Sequence, residues 1–98
     1  MTLQELIRKV KDKELSKEQL EAYRDDLVNL FAELQFELAD IRKAKALFFL
    51  EQREKTDIAT ERKWQVTKEG LREIELRHYS KACEKIISST KDRLYRLY

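Results

Sequence analysis

The sequence predicts an all-α fold, a short N-terminal helix followed by a long antiparallel helical hairpin with coiled-coil-like packing. Three observations predict it. The 98 residues contain no proline, one glycine (Gly70) and one asparagine (Asn29), so the residues that make the turns of sheets and α/β units are nearly missing. Charged side chains are 41% of the chain and hydrophobic ones 42%, a balance that suits long amphipathic helices and not a disordered polyelectrolyte. Apolar residues recur at helical spacing along most of the chain. At this length the reading is one domain, residues 1–98.

The first helix is predicted over about residues 3–13. Thr2 and Glu5 have the spacing of a capping box, and Leu3, Leu6, Ile7 and Val10 follow on one face. Ser16 and Gln19 form a second box, so the chain breaks near Leu15 and restarts. The second helix, about 17–55, has no breaker. Leu20, Leu27, Leu34, Ile41 and Phe48 recur every seven residues, and Arg24, Phe31, Leu38, Lys45 and Gln52 recur four residues behind them. Together they trace the seam of a left-handed coiled coil. Tyr23, Val28 and Leu30, then Leu47, Phe49 and Leu50, widen that seam into the face of a bundle helix touching two neighbours.

Thr56 or Asp57 caps a third helix, expected to run unbroken over about 58–97. Its apolar stripe reads Leu71, Ile74, His78, Tyr79, Ala82, Cys83, Ile86, Ile87, Leu94 and Leu97, with a stutter between Ile74 and Tyr79. Gly70 inside it marks a tolerated residue or a point of close helix approach, with a hinge as the alternative. The hairpin is expected to span about 55–60 Å at 1.5 Å per residue. A lone hairpin leaves much of the wide stripe in water, so a homodimeric bundle about a two-fold axis is expected.

Net charge is +2, short of the basic excess of an obligate nucleic-acid binder. Cys83 is alone, which excludes an intrachain disulfide and suits a reducing compartment. The longest apolar run, Ala46 to Leu50, is far below the length of a membrane span, and the N-terminus has no apolar core of a signal peptide. A soluble, cytoplasmic protein that does not engage membranes is expected.

Chemistry-bearing arrangements are few. Glu75 and His78, at i and i+3, have the geometry of a ferritin-like di-iron half-site, with Glu37 or Glu33 as the facing carboxylate. Arg72 and Arg77 beside it put positive charge where a cation would sit, and the alternative is a core-edge histidine beside a solvated carboxylate. Cys83 lies roughly 140° around the helix from His78, which separates them for proton transfer. No cofactor, small-molecule substrate or enzymatic activity is expected. Two surfaces remain. Arg62, Lys63 and Trp64 lie near the hairpin tip, where the tryptophan is either a core anchor or a binding hot spot. Near the C-terminus Arg93 and Arg96 interleave with Tyr95 and Tyr98, and Lys81 and Lys85 continue the positive charge. That cluster is either a favourable pairing with the helix dipole or a partner-binding surface.

The stretch Asp57 to Gly70, with Thr67-Lys68-Glu69-Gly70 and the closing Lys91-Asp92-Arg93-Leu94-Tyr95-Arg96-Leu97, resembles small phage-encoded helical-hairpin proteins of early or recombination-linked regions. The resemblance implies a non-enzymatic protein in a host cytoplasm. The leading expectation is an interaction protein that binds a host or phage protein, such as a modulator of a nuclease or defence complex. An accessory nucleic-acid-binding protein is the second expectation, and a di-iron bundle the third.

Overall fold

The computed structural model describes residues 2–12 and 14–97, so Met1, Lys13 and Tyr98 lie outside the described residues. Four helices follow one another: α1 (Leu3–Val10), α2 (Lys17–Glu51), α3 (Asp57–Gln65) and α4 (Lys68–Leu97). No strand occurs among the described residues. α2 and α4 form the antiparallel hairpin, α1 packs across one end of it, and α3 closes the other. The molecule measures 57 × 21 × 17 Å, within the length expected for the hairpin.

Each boundary has a local cause. The Thr2 hydroxyl accepts the Glu5 amide at 3.2 Å and starts α1. That helix stops at Val10 instead of continuing to 13, because Asp12 turns the chain by accepting the Glu14 amide at 2.9 Å. Both halves of the second capping box form, Gln19 N to Ser16 Oγ at 3.2 Å and Ser16 N to Gln19 Oε1 at 3.0 Å. α2 ends at Glu51 and not at 55. Thr56 must be extended (φ −130°, ψ 156°) to cap α3 through the Ala59 amide, and the residues between make the turn.

The expected continuous third helix is two helices. Thr67 takes the Trp64 carbonyl twice, with its amide at 2.9 Å and its hydroxyl at 2.6 Å, which ends α3. The same hydroxyl then accepts the Gly70 amide at 3.0 Å and caps α4. Gly70 is the close approach: a β-carbon there would lie 2.8 Å from the Trp64 carbonyl carbon and 3.0 Å from Gln65 Cα. Only hydrogen fits.

On α2 the leucines of the predicted seam face inward, whereas Gln52 and the expected widening residues Val28, Leu47 and Leu50 are exposed. Leu20, Leu27, Leu34 and Leu38 are buried, and Phe31, Ile41 and Phe48 are half-buried beside them. On α4 the predicted face is kept at Cys83, Ile86, Ile87 and Leu94 and is rotated over the first turns. Its buried positions are Gly70, Glu73, Leu76, Ser80, Cys83, Thr90 and Leu94, with Ile87 half-buried. Those positions are spaced three and four apart without the expected stutter. Leu71, Ile74, Tyr79 and Leu97 are exposed. The reason is the size of the residues facing the leucines of α2. Small side chains let the helices approach closely, and their polar atoms are satisfied: the Cys83 thiol donates to the Leu27 carbonyl at 3.2 Å, Thr90 donates to the Ile86 carbonyl at 2.7 Å, and Ser80 accepts from Gln35 at 3.1 Å. A hydroxyl so paired is buried at little cost, so polarity in the sequence concealed the core face.

Candidate binding groove

The break between α3 and α4 turns Trp64 inward. It is 2% exposed, and its ring lies 5.4 Å from that of Phe48 at 60°. The core-anchor alternative is therefore the one the structure takes, and Trp64 is no part of an exposed hot spot. Its indole N–H donates to Glu73 Oε1 at 3.2 Å. Glu73 is 3% exposed, and Lys45 Nζ lies 3.4 Å from the same oxygen and 2.9 Å from Glu61. Glu73 Oε2 is buried without a hydrogen bond among the described residues and has Arg77 as an ion-pair partner at 3.6 Å. A carboxylate this buried requires such partners.

Over this pair lies an open groove of about 560 Å³ between the last turns of α2 and the first turns of α4. Ala46, Phe49 and Leu50 make its floor, and Leu50 is 81% exposed. Arg42, Lys45, Arg53 and Arg77 stand around it against the single carboxylate of Glu73. Arg53 holds Asp57 at 3.0 Å, an exposed pair, and Arg42 makes no ion pair among the described residues. Lys45, Arg53 and Arg77 are each paired with a carboxylate and Arg42 is unpaired among the described residues, so a modest positive excess stands over an apolar floor.

The residues singled out from the sequence are dispersed. Arg62 lines a separate shallow groove with Ile58 and Gln65, while Lys63 turns back to Glu54 at 3.2 Å. Arg93 does not form an open surface: its guanidinium donates to the carbonyls of Val10 and, at 2.8 Å, Asp12, capping the C-terminal end of α1. Lys81 and Lys85 lie among Glu84, Ser88, Ser89 and Asp92, whereas Tyr95 faces Glu21, Arg24 and Asp25 from another side. Arg96 is exposed, and Tyr98 lies outside the described residues. The di-iron arrangement is not assembled. Arg72 takes both oxygens of Glu37, at 3.1 and 2.8 Å, and one oxygen of Glu75 at 3.0 Å, which commits both carboxylates to a guanidinium. Those bonds hold the Arg72 pKa above its ordinary value, Glu37 contributing most. His78 is exposed, and no cluster of three metal-binding side chains occurs among the described residues.

Sequence reasoning missed the groove because its cations sit on two helices. One signal was readable: Arg42, Lys45 and Phe49 are spaced three and four apart on one side of α2, and Arg53 follows four residues later, just past its end. None of the described helices is long and apolar enough to cross a membrane. Compared with family models, curated proteins and solved structures, the chain matches none.

Proposed function

We propose that the protein is a non-enzymatic helical binding module, working as a dimer, whose groove takes an acidic segment of a partner protein carrying an apolar anchor. One observation carries the reading, the convergence of Arg42, Lys45, Arg53 and Arg77 on the floor of Ala46, Phe49 and Leu50. Arginine beside a desolvated apolar site is the usual composition of a binding hot spot. The cations are confined to about three turns at one end of the hairpin, and the floor is mostly aliphatic. That suits a short peptide segment better than a track of phosphates. Lys45, Arg53 and Arg77 are held in ion pairs with Glu61, Glu73 and Asp57, Arg42 is left unpaired among the described residues to meet an acidic partner, and the Cys83 thiol is buried against the Leu27 carbonyl.

The test uses a labelled peptide of alternating acidic residues around one central leucine, its leucine-to-serine version, and a single-stranded 12-mer oligonucleotide, read by fluorescence anisotropy. The leucine peptide binds, the serine version binds more weakly, and the double variant Arg42→Glu, Arg53→Glu weakens binding by at least about tenfold, worth roughly 1.4 kcal/mol. Tighter binding of the oligonucleotide, with affinity falling steeply in salt, overturns the reading in favour of nucleic acid. Equal affinity of the double variant removes the groove.

A further inference from the structure

The outer face of α2, opposite its core seam, carries a second apolar stripe. Val28, Ala32, Phe36, Ala39, Leu47 and Leu50 all lie on it and are all exposed, Phe36 by 75%. Asp25 precedes the first of them, and Lys43 stands between Ala39 and Leu47. Successive steps along these eight positions are 3, 4, 4, 3, 4, 4 and 3, an eleven-residue repeat that keeps one straight side of a helix. The series reads the same in both directions. Neither α1 nor α3 covers it.

We infer that this stripe is the interface with a second copy of the chain, two α2 helices crossing antiparallel about a two-fold axis midway between residues 37 and 38. The inference rests on the self-association proposed above and names its surface and register. A palindromic spacing is what an isologous helix pair requires, since residue i then meets the residue equally far beyond the axis. Val28 meets Leu47 of the second copy, and Phe36 meets Ala39, a large side chain over a small one. A parallel pair would stack Phe36 on Phe36 and Lys43 on Lys43. The charges agree with the antiparallel choice. Residues 21–37 carry five carboxylates and one arginine, while residues 38–54 carry four cations and three carboxylates. Antiparallel crossing places Lys43 over Ala32, next to Glu33 of the second copy, sets Asp25 against Leu50 at the open end where the stripe meets the rim of the groove, and brings the acidic half over the basic one. The stripe is about 38 Å long at 1.5 Å per residue and about 10–12 Å wide. Two such footprints give roughly 800 Å² before corrugation of the surface is counted, near the lower bound of specific interfaces at about 1,000 Å².

Light scattering on the size-exclusion peak tests it, at micromolar concentrations and with circular dichroism as the check on fold. Wild type elutes as a dimer, and Phe36→Glu, at an exposed position, elutes as a helical monomer. A wild-type monomer overturns the self-association and this face together. A Phe36→Glu dimer overturns only this face. Spin labels in a Cys83→Ser background fix the direction: axial separations are about 8 Å for a label at Asp40 and about 40 Å for one at Glu51 at 1.5 Å per residue. Short distances at both positions mean a parallel pair and refute the register.

Discussion

Replacing Gly70 with alanine reverses an ordinary rule of helix stability. In an unencumbered helix interior the change is stabilising by about 1 kcal/mol, because alanine loses less backbone freedom. Here the new methyl group meets the Trp64 carbonyl carbon at 2.8 Å and Gln65 Cα at 3.0 Å, against ordinary contacts of 3.4–4 Å. Those are backbone atoms, fixed by the two hydrogen bonds that Thr67 makes to the Trp64 carbonyl. Relief requires α3 to move off α4, which draws Trp64 from Phe48 and stretches its bond to Glu73. Overpacking of this kind costs about 1–3 kcal/mol and outweighs the propensity gain. Net of that gain the loss reaches about 2 kcal/mol, and at about 4–8 °C per kcal/mol for a domain of this size the melting temperature falls by up to roughly 16 °C. Thermal melts at 222 nm measure it. Fluorescence of the single tryptophan shifts to the red as Trp64 loses its surroundings. Ser89→Ala, an exposed site on the same helix, is the control and changes the melt by a degree or two. A Gly70→Ala protein that melts at or above wild type with unchanged emission refutes the close-approach argument.

Three further outcomes follow from the same geometry. Glu73→Ala destabilises by about 1–3 kcal/mol because it strips the acceptor from the buried Trp64 N–H, and Glu73→Gln, which still accepts there, loses less. Equal losses in denaturant titrations would mean that the indole bond contributes nothing. Arg93→Ala frees the carbonyls of Val10 and Asp12, a loss of about 1.5–3 kcal/mol for bonds to a charged donor, so amides of α1 exchange about 10–100 times faster while those of α2 do not. Unchanged protection in α1 would show that its docking does not depend on Arg93. Burial pushes the Cys83 thiol above its ordinary value of 9.0. The folded chain then keeps a proton that the unfolded chain releases, so this contribution is held below about pH 9 and lost as pH rises beyond it. Denaturant midpoints between pH 7 and 10.5 fall in wild type more than in Cys83→Ala, and native Cys83 reacts slowly with thiol reagents. Parallel profiles for the two proteins would contradict the assignment.

What the amino-acid sequence determines by itself is whatever depends on residues within about one helical turn. The caps at Thr2, Ser16 and Thr56 are local hydrogen bonds, and they place three of the helix starts. The seam of α2 is equally legible, because large leucines at seven-residue intervals have one way to leave water. The tertiary structure decides what depends on a neighbour distant in sequence. Which face of α4 is buried is set by the leucines of α2, and Ser80 and Thr90 pass inward with the expected Cys83 because side-chain and backbone partners satisfy them. Arg93 caps a helix more than eighty residues away and so leaves the surface that its neighbours Tyr95 and Arg96 share with solvent. The groove, too, belongs to the fold: Arg77 comes beside Arg42 and Lys45 only when the hairpin closes, and buried Glu73 takes Trp64 and Lys45 as partners in place of the water that burial removes. Hydrogen bonds and charge pairs across helices have no periodic signature, since each requires only one correctly placed partner anywhere in the chain.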